Sequence, residues 1–380
     1  MIKMRILQIL PSFGTGGVEE GTLAISHSLV QEGHISFIAS SGGSKAKEAC
    51  DKGATHITLP LQNKSIFKAW GIFRQLCKII QENQIGLIHA RSRWPAWIAY
   101  FAAKKCGIPF ITTFHGHHSA RNFLKRFYNS IMVRTTDTII ISNFMMTYVL
   151  KNYPQTLKSY GTKLHLIPRG IDEVFFDPQN IQEKEKQHLK KSWGIDGPAK
   201  IILMPARMTR LKGHHVLIDA LYHLQDLEWT AVLLGGQENR SAYMGELQEK
   251  INNLKLNKRI LIQPATQDMP TAYALADMVV CPTTQAEAFG RVIIESQAMG
   301  TPIIASDIGE PRHLITHKET GWKFRNKDSL DLATCIREVF SLTPQETNLY
   351  AATARAFVTA TYTKTKMCSH TLEVYKSVYK

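Results

Sequence analysis

Paired cysteines are what this sequence most plainly lacks. Its six, at positions 50, 77, 106, 281, 335 and 368, are scattered through 380 residues with no C-x-x-C among them. That spacing argues against a thiolate zinc site and a disulfide framework, and for a reducing compartment. Long apolar runs are also missing: no stretch of about 18 apolar residues occurs, so no membrane-spanning helix is expected. The opening MIKMRILQILPSF has too short an apolar run for a secretory leader, and Pro11 ends it. Acidic residues are scarce in one half only. Residues 1–170 hold 21 Lys and Arg against 7 Asp and Glu, a net of +14, whereas the remainder carries 25 against 24. A cationic half beside a neutral one implies an anionic partner for the first: acidic lipid, a phosphorylated acceptor or nucleic acid. A generally basic proteome is the plainer explanation of the same numbers.

The length exceeds one ordinary core, so two domains are expected, 1–172 and 173–359, with a helix over about 360–380 packing back on the first. MRILQIL (4–10) reads as a buried strand. Gly14, Gly16 and Gly17 then form a flexible turn before a helix from about Val18. Strand, glycine turn and helix together can bring backbone amides against a phosphate. GTGG lacks both GxGxxG spacing and the Lys-Ser/Thr of a P-loop, and a tight turn without a ligand reads equally well. Strands at 35–40, 86–90, 109–115 and 137–142 alternate with helices at 65–83, 94–106, 119–136 and 143–152, which implies a parallel, doubly wound sheet. His89 with Arg91 and Arg93, His115 and Ser142 stand at strand ends, where such sheets bind ligands. A lone histidine is more often structural; His115, followed by Gly116, His117 and His118, is better placed than most. SARNFLKRFYNSIMVR (119–134) sets Phe123, Leu124, Phe127, Ile131 and Met132 on one face with Arg121 and Lys125 opposite. This pattern suits a membrane-surface helix or a core-facing helix with a solvated basic side.

After LHLIPRGID (164–172) the chain turns charged and Gly/Pro-bounded, which places the domain junction there. IILMPARMTRLKGHHVLIDAL (201–221) repeats strand, turn and helix, with Arg207 and Lys212 on the turn. A planar guanidinium and a flexible ammonium five residues apart can hold one diphosphate from two sides, although two basic loop residues are ordinarily just solvated. WTAVLLGG (229–236) is a strand ending in Gly235 and Gly236. DMVVCPTTQAEAFGRVIIESQAMGTPII (277–304) reads as a strand, a loop carrying Glu287, and a helix opening near Gly290 with Glu295 inside it. Amides at a helix N-terminus favour an anion, so carboxylates beside them suit a ligand with both hydroxyls and phosphate, as in a nucleotide sugar. Two solvated surface glutamates are the bland alternative.

In order along the chain, GTGG, FHG, IPRGID, ARMTRLKG, LLGG, EAFGRVIIE and MGTPIIASDIGEPR resemble glycosyltransferase family 4, and the likeness covers nearly the whole sequence. RSRWPAW looks like the bacterial branch that builds lipopolysaccharide and other envelope glycans. The resemblance implies an α/β, GT-B fold of two Rossmann-like doubly wound domains facing a central cleft. It implies a retaining hexosyltransferase that draws on a nucleoside-diphosphate sugar and serves a glycan or glycolipid acceptor. Arg207 and Lys212 would hold the donor diphosphate, helped by amides of Gly16, Gly17, Arg291 and Val292, with Gly235 in the LLGG turn also at the donor. Glu295 would accept from the ribose hydroxyls; Glu287, Phe289, Gly290 and His115 would position the sugar. His89, Arg91, Arg93, Ser142 and Arg169 are the acceptor-side candidates. The chain departs from the family at Gly309-Glu310-Pro311-Arg312-His313, where two glycines and a later Glu are usual, and at Arg169, where many members carry Asn. No Asp-x-Asp occurs, so neither a metal nor another cofactor is expected, and protein cations must offset the leaving diphosphate. The implied setting is cytoplasmic, at the inner face of the membrane through the basic half, with no nucleic-acid partner. The alternative is a catalytically degenerate member that scaffolds an envelope-glycan complex.

Overall fold

The computed structural model of the chain describes residues 3–117, 122–236 and 242–379. Two units result, one of Met1–Gly170 with Lys364–Lys380 and one of Ile171–Thr363. In the first, strands β1 (Arg5–Ile9), β2 (Ile35–Ser40), β3 (Thr55–Thr58), β4 (Leu87–Ala90), β5 (Phe110–Phe114), β6 (Asp137–Ile140) and β7 (Lys163–Leu166) form one sheet. Their order is β3-β2-β1-β4-β5-β6-β7, and every neighbouring pair is parallel. In the second unit, β8 (Lys200–Pro205), β9 (Trp229–Gly236), β10 (Ile260–Pro264), β11 (Met278–Cys281), β12 (Ile303–Ser306) and β13 (Trp322–Phe324) are ordered β10-β9-β8-β11-β12-β13, again all parallel.

Such sheets are covered by helices on both faces, which is why their strands read as apolar runs and not as alternating ones. β1, β4, β5 and β6 are buried along nearly their whole lengths. Strand order reverses between β1 and β4 in one unit and between β8 and β11 in the other. Chains leaving the two sides of such a reversal diverge over opposite faces and leave a crevice at the carboxyl ends. The glycine turn after β1 and Arg91 after β4 lie at the first reversal. The segments carrying Lys212 and Glu287 leave the second.

The expected helix over 119–136 is broken. Residues 118–121, with His118 and Arg121, lie outside the described residues. Beyond them an α-helix covers Phe123–Asn129 and a single 3-10 turn covers Ser130–Val133. Threonines from neighbouring segments take the carbonyls that a continuing helix would have used. Thr112 and Thr138 donate to the Met132 carbonyl at 2.6 and 3.0 Å, and Thr162 donates to that of Val133 at 2.8 Å. Ile131, Met132 and Val133 are drawn into the interior by the same contacts.

The helix Lys364–Val378 belongs to the first unit, packing Met367, Leu372 and Tyr375 against Ile6, Ile25, Leu87 and Ile139. Lys376 pairs with Glu32 at 2.9 Å, and the Tyr379 hydroxyl accepts from the Arg5 amide at 3.0 Å. A segment more than 350 positions from β1 thus completes the core beneath it. Leu372 is fully buried there. Leu372→Ala is expected to cost about 3 kcal/mol of the first unit's stability through lost burial and an unfilled cavity. Denaturant unfolding should show an earlier first transition, with the second unit's transition unmoved.

Candidate active site

The second unit's site is built by close backbone approach. β8 runs into Ala206–Thr209, then a 3-10 turn over Arg210–Lys212, then the helix His214–Tyr222. Gly213 joins turn to helix at φ 79°, a left-handed conformation that disfavours any residue with a Cβ. A methyl group there would stand 1.8 Å from the carbonyl oxygen of Pro282. The glycine therefore lets the turn press onto the loop that follows β11. Thr283 Oγ1 and the Thr284 amide both donate to the Leu211 carbonyl, at 3.0 and 2.9 Å, and clip the two segments together.

That clip brings Lys212 Nζ to 2.5 Å from Glu287 Oε1. Glu287 is held from behind by Gly309 (φ 73°): the two form a parallel bridge, and the Glu310 amide donates to the Glu287 carbonyl at 3.1 Å. A Cβ on Gly309 would lie 2.7 Å from the Glu287 nitrogen. Burial works to lower the Lys212 pKa, but the attraction and hydrogen bond of Glu287, together with Cys281, outweigh it and the net shift is upward, against an opposing push from the Arg207 charge. Arg207 is thus electrically coupled to Lys212 while remaining exposed. Gly235, at the end of β9, has φ 137°, and a Cβ there would stand 2.3 Å from the Ala206 carbonyl oxygen. It allows that strand to cross close over the Arg207 segment.

Gly290 caps the helix Arg291–Ala298, at whose start Arg291 and Val292 lie. Glu295 is 6% exposed, and both of its oxygens are engaged: Oε2 accepts from the Tyr273 hydroxyl at 2.9 Å and Oε1 from Arg291 Nη2 at 2.8 Å. Burial, then the Glu295 charge, keeps the Tyr273 hydroxyl protonated far above its ordinary range. A carboxylate oxygen has two acceptor positions, so Glu295 retains capacity for further donors. Phe289 buries its ring against Tyr362, so only its backbone can face a ligand.

In the first unit, Gly16 (φ 149°) caps the helix Gly17–Gln31, and Glu19 folds back over it, its carboxylate 2.5 Å from where a Gly16 Cβ would lie. Lys45 pairs with Glu20 at 2.7 Å, and the Phe13–Gly14 backbone leaves no room for a side chain at Gly43. His115 follows β5, its Nδ1 3.0 Å from Arg169 Nη2.

The acceptor-side expectation needs correction. His89 has no exposed surface: Tyr375 Oη sits 2.6 Å from Nδ1 and Thr113 Oγ1 2.7 Å from Nε2. Burial, then the Arg91 charge, pushes its pKa well below the usual histidine range and keeps it neutral. Arg91 is buried with Nε and Nη2 on Gln8 Oε1 at 3.1 and 2.6 Å. Ser142 is buried and caps the helix Asn143–Asn152 by accepting from the Met145 amide at 3.1 Å. These three brace the carboxyl edge of the sheet from inside. Arg93 is half-buried, donating to Asn129 Oδ1 at 2.7 Å. Among the described residues no group of three or more His, Cys, Asp and Glu is arranged to hold a metal ion.

Sequence reasoning missed Gly213, Gly309 and Tyr273. Gly213 carried a signal, a glycine between a basic turn and a helix start. Gly309 fell within the MGTPIIASDIGEPR stretch without a role being assigned to it, and the contact of Tyr273 is tertiary and left no signal.

Two families cover the chain in succession: residues 15–175 match "Glycosyltransferase Family 4" and residues 185–356 match "Glycosyl transferases group 1". A glycosyltransferase of known structure from Rickettsia africae ESF-5 is 32% identical and superposes with a TM-score of 0.91, over 100% of this chain and 99% of that one. Anabaena Alr3699/HepE in complex with UDP and glucose, 21% identical, shares the fold at a TM-score of 0.82 over 98% and 100% of the two chains. The D-inositol 3-phosphate glycosyltransferase of Jonesia denitrificans is 33% identical over 42% of this chain, a stretch spanning only 39% of that protein.

His214, next to Gly213, is fully buried against the Tyr243 ring, and burial lowers its pKa to about 4 despite backbone carbonyls of Ala206 and Thr209 that favour the charged form. A depressed histidine stabilises the fold above the unfolded value of 6.5, and that stability drains as pH falls from 6.5 towards about 4. The expected loss over this window is about 3 kcal/mol. Thermal melts at pH 7 and pH 4.5 should show a larger drop for the wild type than for His214→Gln.

Proposed function

This chain belongs to glycosyltransferase family 4, and on that premise we propose that it moves a hexosyl group, with retention, from a nucleoside-diphosphate sugar to a glycan or glycolipid acceptor in lipopolysaccharide or cell-envelope polysaccharide synthesis. The observation that carries the reading is Lys212, whose ammonium is held at the strand-order reversal by Glu287, 75 positions away. A cation kept in place there is available to a diphosphate without rearrangement of the backbone.

Arg207 and Lys212 stabilise the departing nucleoside diphosphate. The arriving phosphate competes with Glu287 for the ammonium, which frees the Glu287 carboxylate to meet a hydroxyl of the sugar. Negative charge grows on the leaving phosphate as the glycosidic bond breaks, so both cations contribute more in the transition state than in the bound substrate. The leaving phosphate oxygen takes the proton of the acceptor hydroxyl as that hydroxyl attacks from the same face, which preserves the anomeric configuration. Protein cations carry the neutralisation that a bridging metal would otherwise supply, and Glu295 takes the ribose hydroxyls.

The acceptor side rests on charge and exposure. Residues 1–170 hold nearly all of the net positive charge, and the helix Phe123–Asn129 sets Phe123 (78% exposed) and Leu124 (75% exposed) beside Lys125 and Arg126. Among the described residues no helix is long and apolar enough to cross a membrane. The proposed setting is therefore peripheral, on an anionic cytoplasmic surface, with aromatic side chains at the headgroup level and basic ones against phosphates.

Lys212→Ala is expected to lower kcat about 100-fold or more while the protein stays folded, measured as sugar-nucleotide turnover; near-wild-type turnover refutes the mechanism. Uridine or guanosine diphosphate should raise the melting temperature where duplex DNA does not, and a panel of nucleotide sugars then identifies the donor. In sedimentation with vesicles, binding to anionic but not neutral lipid is expected, and it should weaken in Phe123→Ser/Leu124→Ser and be lost at high salt. Absence of binding at every salt concentration removes the membrane reading.

A further inference from the structure

His115 and Arg169 leave the carboxyl edge of one sheet, the first just after β5 and the second beyond β7. Arg169 Nη2 lies 3.0 Å from His115 Nδ1. A guanidinium has five N–H donors, no acceptor, and a charge that does not titrate in the physiological range. Its nitrogen can only donate, so His115 Nδ1 must present a lone pair. A neutral imidazole with its lone pair on Nδ1 carries its proton on Nε2. An imidazolium would turn an N–H towards the guanidinium and set two positive groups against each other, which this contact opposes. An asparagine in its place would have both a donor and an acceptor on its amide and so would leave the tautomer open.

We propose that Arg169 is a positioning residue that holds His115 in the neutral Nε2–H tautomer, so that the ring presents one defined donor at the carboxyl edge of the first unit's sheet. The tautomer rests on the Arg169–His115 contact, and its effect on turnover rests on the function proposed above. The arginine then acts through His115 and need not touch substrate. Its effect falls on the orientation and protonation of one ring, so it belongs to the rate of transfer more than to capture of the nucleotide.

The test is long-range proton–nitrogen correlation spectroscopy on protein labelled with 15N-histidine, with His115 signals identified by their loss in His115→Gln. The wild type is expected to show an unprotonated Nδ1 and a protonated Nε2 on His115. Arg169→Lys, which still only donates, should keep that pattern. Arg169→Met should admit the second tautomer or the imidazolium, and lower kcat about tenfold with the donor KM little changed. A wild-type His115 protonated at Nδ1, or an unchanged tautomer in Arg169→Met, overturns the proposal. If Arg169→Met melts early, the wild-type and Arg169→Lys spectra decide the matter without it. Full turnover in His115→Gln would overturn the part of His115 in turnover and leave the tautomer result standing, so the two failures are distinguishable.

Discussion

An ammonium withdrawn from water must have a counter-charge, and in this protein Glu287 supplies it to Lys212. Each partner is fixed through backbone, not through side-chain packing. Gly213 lets one segment press on the Pro282 carbonyl, and Gly309 presses the other from behind. The consequence is electrostatic: burial alone would weaken the charge on Lys212, whereas the pairing strengthens it. A site arranged this way keeps its cation charged and oriented before a ligand arrives, which is the condition under which fixed charge lowers a barrier.

The first unit solves a different problem. Its sheet edge is braced by a polar interior in which Arg91 meets Gln8 and His89 meets Tyr375 and Thr113. The buried guanidinium donates to a neutral amide oxygen, Gln8 Oε1, through both Nε and Nη2. Tyr375 comes from the C-terminal helix, so the chain's last segment sets the orientation of His89 beneath the strand ends. Rigidity at this edge comes from chain crossing and hydrogen bonding.

How much of this was legible in the sequence depends on how far apart the cooperating residues lie. Largely apolar stretches such as MRILQIL (4–10) and IILM (201–204), alternating with helical periods, were enough to indicate parallel α/β organisation, because burial on both faces leaves a local signature. Arg207, Lys212, Glu287 and Glu295 could be singled out because each falls in a strand–turn–helix unit. The engagement of Glu295 by Tyr273, 22 positions earlier, and of Glu287 by Gly309, 22 later, had no local trace. The 3-10 turn at Ser130–Val133 was illegible for a related reason. Its carbonyls are claimed by threonines from β5, β6 and the segment before β7, and helix periodicity cannot register that competition. His89 shows the converse error: a histidine at a strand's carboxyl end has the right address for a ligand, and only its neighbours reveal that it faces inward.

Placement and identity are therefore separable in this site. Strand-order reversal between β8 and β11 delivers two loops to one spot whatever their sequences, and the threonine–carbonyl clip with Gly213 sets how closely they approach. Substitutions on the exposed arms of those loops can alter which sugar is read without moving the ammonium. Substitutions at the glycines cannot, since any Cβ displaces backbone and the cation moves with it. Variation in specificity across related chains should accordingly concentrate on those exposed arms, and the close-approach glycines should tolerate almost none.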